Sequence, residues 1–265
     1  MQALRRFLGQ PWLLPLTALL LRARTVRPVW RFVLRELCRD RSVRVYRLAG
    51  ADLHVALRHG SADVVTLGEV FHNHDYVPAP ALETRLSSTR SILDLGANVG
   101  LFGVFAVSRW PGARIVAFEP DPANLAVLEQ TIAGNGLRRS WTVVAAAVGA
   151  HDGEASFLAG EASLSRLADD GTPGTMTVPV RDVLPAMAEA DLVKLDIEGG
   201  EWEILSDARF QASPPRTLVM EYHPYRCPGD DPRATVEALL RAAGMAWTTI
   251  WHRDDGHGML WAWRS

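Results

Sequence analysis

The sequence predicts an α/β fold built on a mostly parallel, Rossmann-type sheet, and three observations carry that reading. Ile92 to Leu95 is a short apolar run of the kind buried on both faces of a sheet. It leads through Asp94-Leu95-Gly96-Ala97-Asn98-Val99-Gly100 into an apolar helical pattern at Phe102, Phe105 and Val107. Strand, glycine turn and helix form the entrance of a nucleotide site, where backbone approaches the ligand closely and a helix N-terminus offers unpaired N–H groups. From that turn onward, strand and helix patterns alternate.

Ahead of the turn the chain has a different character. Trp12 to Leu21 holds six leucines, preceded by Arg5 and Arg6 and closed by Arg22. About 10 apolar residues fall well short of the ~20 that span a bilayer, and Arg22-Ala23-Arg24 makes a poor signal-peptide cleavage site. Helices are expected over 11–23 and 27–39, apolar on one face and arginine-rich on the other. Ser42 to Thr66 alternates through Val43, Val45, Leu48, Leu53, Val55 and Leu57, predicting two or three antiparallel strands, and a helix is expected at 79–88. His72-Asn73-His74 between them reads as a surface loop, since no further metal ligand is placed near it by sequence. The divisions expected are a basic helical extension at 1–41, a β-rich and helical lead-in at 42–90, and the Rossmann-like domain at 91–265.

Within that domain, strands are expected at Arg114–Phe118, Trp141–Val148, Leu192–Ile197 and Thr217–Tyr222, with helices at 124–134 and 232–243. Residues 153–158 and 176–180 read as a hairpin joined by a polar loop around Asp169-Asp170-Gly171. Strands near 246–252 and 258–263 follow.

Charge is distributed unevenly. The first 50 residues hold eleven arginines against Glu36 and Asp40, a net charge of +9, while the remainder carries −11 and returns the total of −2. A basic arm of this kind binds an anionic membrane surface, a nucleic acid, or the acidic face of its own domain; docking on the domain is the expectation. The acidic catalytic part repels phosphates, so a nucleic-acid partner is not expected. Cys38 and Cys227 have neither disulfide-framework nor metal-site spacing. The location expected is cytoplasmic, with membrane association through the arm as the alternative; the oligomeric state is not read from the sequence.

Ligands of such sheets lie outside the carboxyl ends of the strands. Those ends are Asp94 to Gly100, Glu119, Ala146 to Val148, Asp196 to Glu198, and Glu221 to His223, so several acids converge on one edge. Asp94 suits a ligand carrying an amino group. Glu119, 23 residues past Gly96, can accept from both hydroxyls of a ribose and repels a 2′-phosphate; otherwise it is a solvated loop acid. Asp196, still on its strand in this reading, and Glu198 bracket the place where substrate meets cofactor. Glu201 reads as an acid favourable in a first helical turn. Lys194 is the only lysine of the chain and lies in a strand that otherwise reads as buried, so it needs an acidic partner.

The strings Leu93-Asp94-Leu95-Gly96-Ala97-Asn98-Val99-Gly100, Phe118-Glu119-Pro120-Asp121-Pro122 and Val193-Lys194-Leu195-Asp196-Ile197-Glu198-Gly199-Gly200-Glu201 resemble the FkbM family of S-adenosylmethionine-dependent methyltransferases. Upstream, Asp63, Glu69-Val70-Phe71 and Tyr76 are similar to that family's segment before the glycine turn, so the resemblance runs from about 45 to 225. It implies a class I methyltransferase fold, a seven-stranded sheet with its last strand antiparallel and helices on both faces. It also implies S-adenosyl-L-methionine as cofactor, and O-methylation of a hydroxyl on a small molecule, natural product or glycan. Asp94, Gly96 and Asn98 would lie near the methionine end and Glu119 on the ribose. The cofactor contacts expected with them are Tyr76, Ala97, Gly100, Pro120, Ala147 and Asp196. The catalytic set is Asp196 as first base, with His223, Glu198 and Lys194 beside it. A divalent metal held by acids at these strand ends is the alternative to a side-chain base, and the sequence assigns no ligand set for one.

Two alternatives use the same fold class. A nicotinamide-dependent oxidoreductase would carry G-x-G-x-x-G where this chain has Asn98 at the second glycine, and there is no Tyr-x-x-x-Lys pair. A non-catalytic binding module would not need the intact turn together with Glu119 and Asp196.

Overall fold

The computed structural model describes residues 14–159, 166–167 and 172–264; the loop around 169–171 and the first residues of the expected 11–23 helix lie outside that set. The chain opens with α1 (Leu14–Ala23), β1 (Val26–Arg27) and α2 (Val29–Leu37). The helix expected from residue 27 is corrected at its start, because Val26 and Arg27 lie extended along Leu48 and Arg47. They form the edge of a three-stranded antiparallel sheet with β2 (Val43–Leu48) and β3 (His54–Arg58).

The basic arm docks by one face. Leu19, Ala23, Val26 and Phe32 are buried, while Leu16, Leu20, Trp30, Leu34 and Leu37 stay exposed. None of the described helices is long and apolar enough to cross a membrane. Phe32 is fully buried, edge-on to Tyr46 and His59 at centroid distances of 5.5 and 4.9 Å. Beside it His59 Nδ1 donates to Glu36 Oε2 at 3.0 Å and Nε2 accepts from the Tyr46 hydroxyl at 2.6 Å. Burial lowers the pKa of His59, which favours that neutral tautomer.

Next come α3 (Asp63–Gly68), continued by a π-helical turn at Glu69–Asn73, and α4 (Pro80–Leu86). The strand pattern expected to reach Thr66 therefore stops at Arg58. Val64, Leu67 and Val70, three residues apart, all turn inward, and that common face outweighs the β-branched composition. His72, Asn73 and His74 are exposed at the end of the π turn.

The main sheet follows. In chain order the remaining elements are β4 (Ser91–Leu95), α5 (Leu101–Arg109), β5 (Arg114–Phe118), α6 (Pro122–Gly134), β6 (Trp141–Val144), β7 (Ala147–Gly149), β8 (Gly153–Leu158), β9 (Arg166–Leu167) and β10 (Met176–Asp182). They continue with α7 (Leu184–Glu189), β11 (Leu192–Leu195), α8 (Glu201–Ser206), α9 (Ala208–Ala212), β12 (Thr217–Tyr222), α10 (Pro232–Ala242), β13 (Met245–His252) and β14 (Gly258–Arg264). Seven strands join in the order β13-β14-β12-β11-β4-β5-β6, and β14 runs antiparallel to both neighbours. Successive residues feed opposite cores, Ile92 and Leu192 one, Leu93 and Val193 the other, so helices cover both faces. On one face Gly103 lets α5 lie flat, since a Cβ there would fall 1.9 Å from the Trp141 ring.

Two strand ends are corrected. Trp141–Val148 is two strands, because β6 loses its ladder partner where β5 ends (Phe118 opposite Val144), and Ala147 then pairs with Val180 of β10 in a second, four-stranded sheet. β11 stops at Leu195, so Asp196 is not on the strand; Gly96, at φ +80°, turns β4 away and leaves the Asp196 N–H bonded to Leu95 O at 3.2 Å, past the end of the ladder. The short helices α7 and α9, six and five residues long, have no counterpart in the expected pattern.

Phe32→Ala is expected to lower the unfolding free energy by about 3–5 kcal/mol, the usual loss for a buried phenylalanine. Urea unfolding of the full chain checks it; a loss under ~1 kcal/mol would contradict the docking of α2.

Candidate active site

The chain reverses direction across the sheet between β4 and β11, β5 and β6 lying to one side and β12 to the other. Strand carboxyl ends separate there and leave a crevice. A cavity of about 260 Å³ occupies it, walled by the glycine turn, Glu119, Asp196 to Glu198, Glu221, His223, and side chains from the lead-in.

Lys194 stands at its centre. Parallel pairing sets Lys194 directly beside Asp94 on the neighbouring strand, so both side chains leave the same face. The ammonium donates to Gly96 O at 2.5 Å and Leu95 O at 3.4 Å, and lies 3.4 Å from Asp196 Oδ2 and 3.6 Å from Asp94 Oδ1. Burial would lower its pKa, but Asp196 and Asp94 outweigh that and raise it, so Lys194 is a buried cation. The partner expected for it is two partners. Asp94 is fully buried beneath the ammonium and forms no part of the cavity wall. Gly100 also stands back from the wall, against Leu128 and Trp141.

The other side of the glycine turn is held by Glu119. Its Oε2 accepts from Asn98 N at 2.7 Å, and its Oε1 from Asp121 N at 2.9 Å and Asn124 Nδ2 at 3.3 Å. Burial pushes the carboxyl up to about 7 against those three donors. Asn124 Oδ1 in turn accepts from Arg58 Nη2 at 2.6 Å, and Arg58 is paired with buried Asp63 at 2.9 Å. The lead-in thus reaches Glu119 through one chain of polar contacts. Tyr76, Gly96, Ala97, Asn98, Pro120, Ala147 and Asp196 all line the cavity. Tyr76 is 6% exposed, packed on Phe102 at 5.1 Å, with its pKa raised first by burial.

At the opposite rim His223 is the organising group. Nδ1 donates to Glu201 Oε1 at 2.5 Å, and Glu201 also accepts from His223 N at 3.1 Å and Gly199 N at 2.7 Å. Glu201 stands in the first turn of α8 as expected, and it is also fully buried and braces the imidazole. His223 Nε2 faces Glu198 Oε2 at 3.5 Å, Asp196 Oδ1 at 3.9 Å and Glu221 Oε1 at 4.0 Å. Burial would lower the His223 pKa, yet Glu201, Asp196 and Glu198 carry it up to about 10. Burial pushes Glu198 up to about 7 and Glu221 up to about 8. Asn98 (φ 50°) and Glu198 (φ 56°) are left-handed non-glycine residues on this wall, the sort of strain that gathers at functional sites.

The sequence brought together Lys194, Asp196, Glu198 and His223 correctly as neighbours. It missed Glu69, Arg253 and His257, which also wall the cavity. Arg253 and His257 sit on the β13–β14 turn, where nothing in the local pattern marks chemistry.

A match to the methyltransferase FkbM domain covers residues 94–244, more than half of the chain. Methyltransferase sdnD of Sordaria araneosa is 40% identical over 67 residues, 25% of this chain and 24% of its own length. The AMB antimetabolite synthetase AmbE of Pseudomonas aeruginosa is 41% identical over 63 residues, 24% of this chain and 3% of its own. The chain therefore spans a quarter or less of the curated relatives it matches. Among solved structures, methyltransferase FkbM from Methylobacillus flagellatus KT aligns at 14% identity and a TM-score of 0.48, covering 97% of this chain and 60% of that one. The domain match decides against the oxidoreductase and implies S-adenosylmethionine as cofactor. With a seven-stranded sheet and a domain match that begins at Asp94 and extends past His223, the chain belongs to the methyltransferase FkbM domain family.

Proposed function

We propose that this chain transfers a methyl group from S-adenosylmethionine to a hydroxyl oxygen of a small-molecule or glycan acceptor, with Asp196 taking the hydroxyl proton. One observation carries the reading: a carboxylate suited to ribose and a cluster of proton-accepting groups face each other across a single cavity.

The wall suits the cofactor. Phe118, Ala146, Val148 and Phe157 give an apolar stretch for an aromatic base, and Glu119 stands at its edge for hydroxyls. Asn98 Oδ1 is buried on the same wall without a hydrogen-bond partner, an acceptor open to an ammonium. Bound S-adenosylmethionine supplies a methyl group on cationic sulfur, and the acceptor oxygen takes that carbon while the electrons of the breaking bond stay on sulfur. The chain's part is alignment, exclusion of water and removal of one proton; alignment alone can contribute ~7–11 kcal/mol. Asp196 is held for this by Lys194 at Oδ2, which leaves Oδ1 toward the cavity and His223. Tyr76 and Glu69 of the lead-in line the same cavity.

Asp196→Asn is expected to slow single-turnover methylation ~10²–10⁴-fold, the range for loss of a general base, with little change in cofactor affinity. A thermal melt run beside it guards against loss of fold through Lys194. Wild-type transfer in a normally melting variant would move the role of base to His223 or Glu198.

Glu119 sets a pH dependence. A carboxyl whose folded pKa is raised disfavours its ionised form in the empty site, so its contribution to stability falls as pH rises from ~4.5 through about 7. Ribose hydroxyls donate to the ionised form, so cofactor binding should weaken about tenfold per unit below pH 7 and level off above it. Calorimetry with S-adenosylhomocysteine at pH 6, 7 and 8 measures this. Glu119→Gln should remove the dependence, and Glu119→Ala should lose roughly 10- to 150-fold in affinity at pH 8, the equivalent of ~1.5–3 kcal/mol. Equal affinity in the folded alanine variant would remove Glu119 from the cofactor site.

A further inference from the structure

We propose that Asp196, Glu221 and His223 form a binding site for one divalent cation at the acceptor side of the cavity. One donor atom from each lies within 4.8 Å of the other two. Bonds of about 2.1–2.5 Å put ligands on one ion ~3 Å apart when adjacent and ~4–5 Å when opposite. The separations from His223 Nε2, 3.9 Å to Asp196 Oδ1 and 4.0 Å to Glu221 Oε1, fall in that span.

The stronger argument is the way His223 is held. It is 4% exposed, and its Nδ1 is fixed by the fully buried Glu201, which also takes the backbone N–H of His223 and of Gly199. That is the arrangement by which a carboxylate fixes the tautomer and direction of a metal-bound imidazole. With Nδ1 donating, Nε2 points at three carboxylates and makes no hydrogen bond among the described residues. Carboxylates around Nε2 call for a cation between them, a proton in the empty site and a metal ion when one binds. Lys194 does not serve Glu221, being engaged with Gly96 O, Asp94 and Asp196. Among the described residues Glu221, a quarter exposed at the end of β12, has no cationic partner nearer than that imidazole. Glu198, 3.5 Å from Nε2, completes an acidic rim without being needed as a ligand. One nitrogen with carboxylate oxygens suits a first-row dication such as Mn²⁺.

The use of the ion rests on the reading of this cavity as the seat of methyl transfer to oxygen. With the ion bound, Asp196 would hold it, and a coordinated hydroxyl, made more acidic, would give its proton to Glu198 while its oxygen keeps the electron pair that bonds the methyl carbon; in the ion-free site Asp196 remains the base.

The test is direct binding, independent of turnover. The full chain, freed of metal with a chelator, is titrated with Mn²⁺ while the signal of free Mn²⁺ is followed by electron paramagnetic resonance. One ion per chain is expected, with affinity lowered at least tenfold in Glu221→Gln and in His223→Gln. Glu154→Gln, on exposed β8, should leave it unchanged. No binding at millimolar Mn²⁺, or equal binding in Glu221→Gln with a wild-type melt, overturns the site. Because His223→Gln strips Glu201 of a donor, Glu221→Gln decides if that variant fails to fold. Analysis of the methylated atom is a separate readout: one-to-one binding with methyl on a nitrogen or carbon keeps the ion site and refutes the hydroxyl acceptor. Oxygen methylation at the same rate with excess chelator refutes the ion's role.

Discussion

The site depends on one buried cation. Removing an ammonium from water costs several kcal/mol even after relaxation, and Lys194 sits 3% exposed in the centre of the sheet. The cost is offset only because parallel register sets Asp94 beside it, the turn directs two carbonyls at it, and Asp196 closes the far side. Each of those partners belongs to a segment that must bend sharply at the end of its strand. Gly96 is at φ +80°, and a Cβ there would fall 1.9 Å from Asp196 O, so the two strand ends touch at the point where the ammonium binds both.

Glu119 is the complement of that arrangement. The glycine turn presents carbonyls toward β11 and N–H groups toward β5; a cation takes the first and a carboxylate the second. The turn is thus clamped by opposite charges on its two sides, and its shape does not rely on a ligand. Polar contacts then run outward from Glu119 through Asn124 and Arg58 to Asp63. The lead-in, folded as a small sheet and helices, therefore supports a wall of the cavity as well as covering one face of the core. On the acceptor side Glu201 does for His223 what Glu119 does for the turn, fixing a group from behind so that its free atom points inward.

Much of this was legible in the residues, and for physical reasons. Buried parallel strands are short apolar runs, so β4, β5 and β12 could be read with their bounds nearly as found. Ligands gather at strand ends, so the acids there could be named before any coordinates. A single lysine inside an apolar run had to be paired. The failures share a cause, since each depended on partners distant in the chain. Trp141–Val148 looked continuous because its ladder changes sheets, which only β10 decides. Nothing local says that Lys194 lies over Asp94. Glu201 stands in a first helical turn as read, but nothing local shows that it also holds His223, 22 residues on. Arg253 and His257 reach the cavity from a hairpin turn whose position is set by β14 entering the sheet in reverse.

Urea unfolding of Lys194→Met, alone and with Asp94→Asn, tests most directly whether the buried ammonium organises the site. Met keeps the length and volume of the side chain while leaving Asp94 as a buried carboxylate without its cation. The single variant should lose about 3–5 kcal/mol, and the double variant should recover most of that loss. A single variant as stable as the wild type, with unchanged affinity for S-adenosylhomocysteine, would contradict the account.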